Sequence, residues 1–288
     1  MRISNNKYGL LLSIPGFVII LALVIFPLAT LFMASFLRYT AIYPITFTGF
    51  RNYRYIFGDR LFWLSLKKTV IYAGGATGLT FCGGLIIALL LSRITKGSGI
   101  FRSLTMFSWA VPLVISGFIW RWIFNPNVGV FSDLLMKLRL VSEPLPIFSN
   151  PNLAMLACVV ADSWVRIPFM TIFALAGIES IPLELYDAAK VDGADCIASF
   201  RHITLPLIRH MVLIGLLITS MISFRTIDVI FAMTGGGPAR STYVMSLYII
   251  EQLWLRVDYG TGSAAGVIML FLISSFASFY VYLILKKD

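Results

Sequence analysis

Six predominantly apolar stretches, each long enough to cross a bilayer as a helix, constrain this 288-residue sequence more than any other feature. A bilayer core about 30 Å thick requires roughly 20 apolar residues in helical form. The stretches that meet this requirement cover, with approximate ends, residues 10–36, 69–91, 104–124, 153–178, 211–233 and 264–285. The sequence therefore predicts an all-α integral membrane protein with six transmembrane helices in a single transmembrane domain, residues 1–288.

Composition excludes a soluble fold. Hydrophobic residues make up 59% of the chain and charged residues 12%, whereas soluble domains carry about 25% charged residues. The net charge of +10 is spread over short loops and tails, where it suits anionic lipid headgroups rather than nucleic acid. The first stretch is too long for a signal peptide and lacks a small-residue cleavage pattern, so we expect a retained span.

The distribution of lysine and arginine predicts the orientation. A simple tally favours neither side, but with the N-terminus inside the inner connections are shorter and carry their basic residues close to the span ends. This is the arrangement that the positive-inside rule describes. We therefore expect both termini, and the segment between the fourth and fifth spans (the 179–210 loop), to be cytoplasmic.

The sequence contains no pattern typical of a catalytic or metal site. Cys82, Cys158 and Cys196 lie far apart and are interpreted as small packing residues. His202 and His210 lack metal-ligand spacing, and no glycine run is followed by the lysine of a phosphate-binding loop. We expect a chain that is not an enzyme and binds no cofactor itself.

The 179–210 loop has the pattern of two short helices joined by a turn. Pro182 fits the start of the first helix, and Glu184 complements the positive end of its dipole. Gly193 suits the left-handed residue that ends this helix. Pro206 is expected to stop the second helix before the fifth span begins.

Small and acidic residues in the first of these helices indicate its environment. Ala188 and Ala189 would let a protruding helix approach the backbone of another protein closely. The alternative is an amphipathic helix lying on lipid, but Asp187, Asp192 and Asp195 would then face anionic headgroups. The sequence favours a protein-docking helix.

The 179–210 loop resembles a segment of a known family. Asp187-Ala-Ala, Gly193 and Ile203-x-Leu-Pro206 occur at the spacing of the EAA loop of bacterial ABC importer permeases, with aspartate where the family usually has glutamate. The resemblance implies the type I importer permease fold and a coupling helix seated in a cytoplasmic ATPase subunit. The residues that it assigns to ATPase coupling are Glu184, Asp187, Ala188, Ala189, Asp192, Gly193, Ala194, Ile203, Leu205 and Pro206.

Four further stretches resemble the carbohydrate-uptake permeases of the maltose and glycerol-3-phosphate type. They are Gly49-Phe-Arg-Asn-Tyr-Arg with Phe62-Trp and Thr69, Ile119-Trp-Arg-Trp-Ile-Phe-Asn-Pro126 with Gly129, residues 164–181, and Asp228-Val-Ile-Phe-Ala-Met-Thr-Gly-Gly-Gly-Pro238 with Thr242. The last looks like the signature of the first of two paired permeases.

This resemblance implies the function and the partners. The function is import of a carbohydrate or polyol derivative across the bacterial inner membrane. The implied partners are a second homologous permease, two ATPase subunits that use ATP and Mg²⁺, an external solute-binding protein and membrane lipid.

The glycine run after the fifth stretch is expected to end that helix sharply. Two interpretations remain open, a plain external loop and a docking surface for the solute-binding protein. The residues concerned are Gly235, Gly236, Gly237 and Pro238.

Two pairs of opposite charges lie within predicted spans, Asp162 with Arg166 and Arg225 with Asp228. Spacings of four and three place each pair on one face of a continuous helix. Charges in spans usually face a protein interior or a wet cavity. The pairs therefore either neutralise each other in the helix bundle or line a solute pathway.

The fifth stretch favours a pathway. Thr219, Ser223 and Thr226 form a hydroxyl stripe at helical spacing, which we expect beside Arg225. Carried over from the family, the pathway residues are Ser223, Arg225 and Thr226, with Asp228 beside them. Aromatic side chains that could stack on a sugar, or anchor span ends instead, are Trp120, Trp164 and Tyr243.

Other functional classes remain as alternatives. An ion-driven secondary transporter would use the charges within the spans as a proton relay. A membrane scaffold or enzyme would show no solute-dependent phenotype. An amino-acid or peptide permease would share the EAA loop, although the glycine signature disfavours it.

Overall fold

The computed structural model describes residues 5–94 and 96–286, with side chains from residue 12 onward, and most of them are helical. In chain order the α-helices are α1 (Asn5–Ile20), α2 (Phe26–Ser35), α3 (Arg51–Gly58), α4 (Arg60–Leu91), α5 (Ser98–Met106), α6 (Leu113–Ile123), α7 (Val130–Lys137), α8 (Pro151–Glu179), α9 (Leu183–Val191), α10 (Cys196–Ser199), α11 (Leu205–Arg225), α12 (Asp228–Met233), α13 (Met245–Ile250) and α14 (Tyr259–Leu285). Wider π-helical turns occupy Leu21–Ile25, Phe200–Thr204 and Glu251–Leu255, and a 3₁₀ turn occupies Phe107–Ala110. The strands are β1 (Leu37–Arg38) and β2 (Thr46–Phe47).

Within the described part of the chain, five helices are long and apolar enough to span a membrane. They are Leu12–Ser35, Arg60–Leu91, Pro151–Glu179, Cys196–Arg225 and Tyr259–Leu285. A bent pair, Ser98–Ala110 with Leu113–Ile123, makes a sixth if it is counted as one span. The predicted apolar stretches are therefore found as helices, while the number of crossings is five or six.

The third predicted stretch is not one continuous helix. Its two parts meet at an angle of 95°, between Val111 and Pro112. Val111 is extended (φ −78°, ψ 124°), as expected for a residue before proline, because the proline ring disfavours helical geometry there. Pro112 is also non-helical and precedes α6. One proline thus divides a stretch that apolar length alone presents as continuous.

The fifth predicted stretch is also divided, and the glycine run does not end its long helix. That helix, α11, ends at Arg225, and Thr226 is extended with ψ 135°. The short α12 follows from Asp228 to Met233. The expectation of one helix over residues 211–233 is therefore wrong.

The contacts divide the chain into two compact units, the first of which contains described residues within 5–63 and 248–271. In this unit β1 and β2 pair antiparallel, Leu37 with Phe47 and Arg38 with Thr46. Asn52 of α3 donates hydrogen bonds of 2.8 Å to the carbonyls of Ser35 and Leu37, and so fixes the exit from α2. This small hairpin departs from the predicted all-α class.

A second polar contact in the same unit joins Tyr248 to the loop before α4. The Tyr248 hydroxyl donates to Asp59 at 2.9 Å, and the Tyr248 side chain is fully buried. Burial, together with the hydrogen bond to Asp59, raises the pKa of Tyr248 well above its usual range. Tyr248 therefore remains a protonated donor at physiological pH.

The second unit, within residues 64–247 and 272–286, is built around α8. Of an apolar 18-residue segment within α8, 67% is buried, whereas 39% of the corresponding segment of α4 is buried. Gly84 of α4 lies so close to α8 that a Cβ added there would be 2.7 Å from the Met170 Cβ atom. Without a driving force from water, membrane helices associate through such close contacts at small residues.

This contact generates a prediction about stability. Gly84→Ala would push a methyl group into Met170, and overpacking of this kind costs about 1–3 kcal/mol. Gly78, on the same helix, has no atom within 4 Å of an added Cβ, so Gly78→Ala is the matched control and gains helix propensity. We expect a lower melting temperature of the purified complex for Gly84→Ala only. Equal melting temperatures would contradict the assigned contact.

Candidate functional site

The first helix of the 179–210 loop has well-defined ends. Pro182 (φ −58°, ψ 134°) immediately precedes α9, and Glu184 lies in its first turn. At the other end Gly193 has φ +81°, as predicted. The Ala194 amide then donates to the Ala189 carbonyl at 2.8 Å, and the Gly193 amide donates to Lys190. These bonds complete the end of α9 and reverse the chain.

The surface of α9 and of the turn after it is exposed. Asp187 and Ala188 are exposed, and Asp187 forms a surface ion pair with Lys190 at 2.9 Å. Large apolar side chains accompany them, with Val191 87% and Leu183 74% exposed. Among the remaining predicted coupling residues, Asp192 and Gly193 are exposed and Ala194 is half-buried. The turn thus presents both apolar and acidic groups.

The second helix of the loop does not stop at Pro206. It runs from α10 through the π-helical turn Phe200–Thr204 into α11, so residues Cys196–Arg225 form one helix. The Leu205 amide donates to the Phe200 carbonyl, five residues back. This wider turn accommodates a proline, whose ring would collide with the carbonyl four residues earlier in a regular helix. The prediction that Pro206 ends the second helix is therefore wrong.

Side chains join the two helices of the loop to each other and the loop to α5. The hydroxyls of Tyr186 and Thr204 are 2.9 Å apart, which joins α9 to the π-helical turn. Arg102 of α5 forms an ion pair with Glu179 at the end of α8. A cavity of about 680 Å³ lies beneath the loop. It is lined in part by Leu183, Tyr186, Asp195, Phe200 and Thr204.

The cysteine interpretation holds for one residue. Cys158 is buried, whereas Cys82 and Cys196 are exposed. Cys196 starts α10 and receives a hydrogen bond from Arg93 at 3.3 Å. Cys82 lies on an exposed face of α4, and Cys196 lies in the 179–210 loop, so neither residue fills a core.

A buried ion pair lies within α8. The guanidinium of Arg166 donates to both carboxylate oxygens of Asp162, each at 2.8 Å, and the side chains are 8% and 0% exposed. Arg166 also donates to the Thr226 hydroxyl at 2.7 Å. Ser223 donates to Asp162 at 3.4 Å. The pair is thus neutralised within the helix bundle, as one of the two interpretations expected.

Two members of the hydroxyl stripe, Ser223 and Thr226, contact this ion pair and do not face Arg225. Ser223 and Thr226 are buried, while Arg225 is exposed. Thr219 donates to carbonyls of its own helix. Asp228 is half-buried in the first turn of α12. Because α11 ends at Arg225, Arg225 and Asp228 do not share one helix face, so that expectation is wrong.

The glycine run forms a tight loop beyond α12. Gly235 and Gly236 have φ +58° and +97°, values that favour glycine. Thr234 and Thr242 close the loop through hydroxyls 2.7 Å apart. A cavity of about 330 Å³ adjoins Gly237 and Pro238, with Arg121, Asn125 and Phe148 among its walls.

The predicted aromatic residues differ in their environment. Trp120 and Trp164 are half-buried and pack edge to face, with ring centroids 6.0 Å apart. Tyr243 is buried. In the described ranges, no three histidine, cysteine or carboxylate side chains form a metal-binding group.

Sequence reasoning misses two contacts in this region. Arg102–Glu179 joins residues 77 apart, and Arg166–Thr226 joins residues 60 apart. No spacing rule connects such positions, so a single sequence carries no signal for them.

The end of α9 generates a prediction about local order. Gly193→Ala places a methyl group on a residue with φ +81°, which costs about 1–2 kcal/mol. We expect amide exchange at Ala194, measured by hydrogen–deuterium exchange, to become roughly 5- to 30-fold faster. Gly99→Ala is the control, because Gly99 has no positive φ and open space around its Cα. Unchanged exchange at Ala194 would contradict the assigned helix end.

Comparison with known proteins identifies the family. A model of the binding-protein-dependent transport system inner membrane component family matches residues 80–287. The chain is 35% identical to the trehalose/maltose transport system permease protein MalF of Thermococcus litoralis, covering 98% of this chain and 95% of that protein. It is 34% identical to the sulfoquinovosyl glycerol transport system permease protein SmoG of Agrobacterium fabrum, covering 100% and 94%.

A solved structure shares the fold. It is a chain of a bacterial alginate ABC transporter in complex with an alginate pentasaccharide-bound periplasmic protein, with a TM-score of 0.79, 22% identity, and coverage of 95% of this chain and 92% of that chain. The present chain therefore belongs to the binding-protein-dependent transport system inner membrane component family, as a multi-pass inner-membrane permease subunit and not as an enzyme.

Proposed function

We propose that this chain is the first of two homologous permeases in a carbohydrate ABC importer, with residues 1–288 forming one transmembrane domain. MalF and SmoG are named as transport system permeases for trehalose or maltose and for sulfoquinovosyl glycerol, and this supports a carbohydrate or polyol derivative as solute. The periplasmic protein in the alginate transporter structure supports an external solute-binding partner. In this proposal the chain crosses the membrane six times with both termini cytoplasmic. The terminal residues 1–4 and 287–288 lie outside the described residues.

The exposed tip of the 179–210 loop is the observation that carries the coupling proposal. Val191 and Leu183 would leave water on docking into an ATPase subunit, while Ala188 would permit close approach. Each of two ATPase subunits binds ATP and Mg²⁺ and docks onto one permease. The force enters through residues 184–206 and passes into α8 and α11, the two helices that flank the loop.

The solute path is proposed along the end of α11. Arg225 is exposed there and Asp228 begins α12, so these side chains would supply polar contacts to a sugar. Ser223 and Thr226 are engaged with Asp162 and Arg166. Their proposed contact with solute therefore requires α8 and α11 to move apart during the cycle.

Docking of the external binding protein is proposed at Gly235, Gly236, Gly237 and Pro238. The cavity beside Gly237 and Pro238, with Arg121 among its walls, would accept a side chain from that protein.

A solute-uptake experiment tests the proposed class. We expect cells that express the complete transporter to accumulate labelled maltose, trehalose or another glycoside, and to lose uptake when the ATPase subunits are deleted. A protonophore at unchanged cellular ATP serves as the control, and uptake should persist. Uptake abolished by the protonophore but independent of the ATPases would support an ion-driven transporter instead.

A bulky substitution at the loop tip tests coupling. Ala188→Trp should block the close approach of α9 to the ATPase, so we expect ATPase activity stimulated by the solute-loaded binding protein to fall at least about tenfold, the loss that about 1.4 kcal/mol of docking energy produces. Ser103→Trp is the matched control, because Ser103 is exposed outside the loop. Full stimulation in Ala188→Trp, or in a complex lacking residues 184–196, would contradict the proposal.

A further inference from the structure

The break between α11 and α12 does not arise from a glycine or a proline. The residues around it, Phe224-Arg225-Thr226-Ile227-Asp228, include neither glycine nor proline. Thr226 nevertheless has ψ 135° and Ile227 has φ −127°. Sharp kinks in helices normally arise at proline, at glycine or where a side chain inserts into the hydrogen-bond ladder. Here the Thr226 side chain bonds back into the ladder, and a side chain from α8 holds its hydroxyl.

That side chain is Arg166. Its Nη2 atom donates to Thr226 Oγ1 at 2.7 Å, and Thr226 Oγ1 donates in turn to the Ile222 carbonyl at 2.9 Å. The Ser246 hydroxyl donates to the Arg225 carbonyl at 3.2 Å. Carbonyls at the end of α11 that would bond to a continuing helix are therefore satisfied from outside the ladder.

The charges reinforce the break. The guanidinium of Arg166 lies at the carboxyl-terminal end of α11, where the helix dipole favours a cation. Asp228 lies in the first turn of α12, three residues beyond the end of α11. Asp162 holds the guanidinium through two hydrogen bonds. The buried arginine thus stabilises the end of α11 at the break.

We propose that Arg166, oriented by Asp162, is a positioning residue that stabilises the end of α11 at Arg225. It thereby determines the positions of Arg225 and α12 in the transporter. Arg166 itself is buried against Asp162 and Thr226. It acts through Thr226, and the consequence extends along α12, where Ala232 lies against Gly117 of α6. Only the transport readout of this proposal rests on the proposed function.

The Arg166–Thr226 contact can be removed without touching the ion pair. Thr226→Val preserves the shape of the side chain but deletes the hydroxyl, and Thr226→Ser restores the hydroxyl. Thr219→Val is the matched control, because Thr219 is a buried threonine of the same helix whose hydroxyl donates to the carbonyls of Gly215 and Leu216. All three variants are purified as the complete transporter complex in nanodiscs.

Hydrogen–deuterium exchange of a peptide spanning residues 222–231 is the direct readout. We expect exchange to become about tenfold faster in Thr226→Val, the scale associated with losing one charge-assisted hydrogen bond. Exchange should stay near the wild-type rate in Thr226→Ser and Thr219→Val. Equal exchange in Thr226→Val and Thr219→Val would overturn the proposal.

A kinetic readout separates positioning from simple stability. We expect Thr226→Val to lower the maximal ATPase rate stimulated by solute-loaded binding protein by more than its melting temperature accounts for, while Thr219→Val keeps the wild-type maximal rate. The half-saturating concentration of that protein should stay unchanged in both variants. If Thr226→Val and Thr219→Val lose stimulation only in proportion to their melting temperatures, the role is structural and the proposal fails.

A second variant addresses the same contact from α8. Arg166→Lys keeps the charge beside Asp162 but loses the planar fork that reaches two partners at once, so it should reproduce the faster exchange of residues 222–231. Unchanged exchange in Arg166→Lys would count against the proposal even if Thr226→Val does not assemble. Absence of stimulation in the wild-type complex would instead overturn the proposed function, while the exchange experiment would still decide the positioning role.

Discussion

Hydrocarbon offers no hydrogen bonds to a polypeptide, and this constraint governs the whole chain. Backbone groups in the bilayer must be satisfied internally, so the apolar stretches become helices, and every interruption of a helix needs replacement partners. The break after α11 obtains them from Arg166, through Thr226, and from Ser246. The same requirement explains why Asp162 and Arg166 occur together, since either charge alone would be costly to bury.

The hairpin formed by α8, the 179–210 loop and α11 is tied at both of its ends. At the loop end the Tyr186 and Thr204 hydroxyls meet, and Arg102 pairs with Glu179. Towards the other end Arg166 contacts Thr226. Between these ties the helices pack closely, as at Gly177, where an added Cβ would lie 3.0 Å from Ile208. The close packing at the loop end would pass a displacement of the loop into α8 and α11, the two helices that the proposed transport cycle separates near the break.

The sequence motifs and the structure agree at positions whose backbone conformation depends on local chemistry. The left-handed conformation of Gly193 follows from the need to reverse the chain after α9, and any L side chain is disfavoured there. Pro112 and Pro206 show the limit of that reasoning. Both prolines lack an amide hydrogen, yet one accompanies a bend of 95° while the other is accommodated by a π-helical turn. Which outcome occurs depends on how the neighbouring backbone and side chains can rearrange, and proline chemistry alone does not specify this.

The order of apolar stretches and the spacing of the EAA-like residues were sufficient to determine the membrane class, the helix content and the family, because these depend on length, hydrophobicity and local pattern. Tertiary structure alone decided that α11 ends at Arg225, that the hydroxyls of Ser223 and Thr226 face an ion pair, and that Arg225 stands apart on an exposed surface. The physical reason is that the Arg166–Thr226 bond joins residues on different helices, and a contact between distant positions leaves no periodic trace in a single sequence.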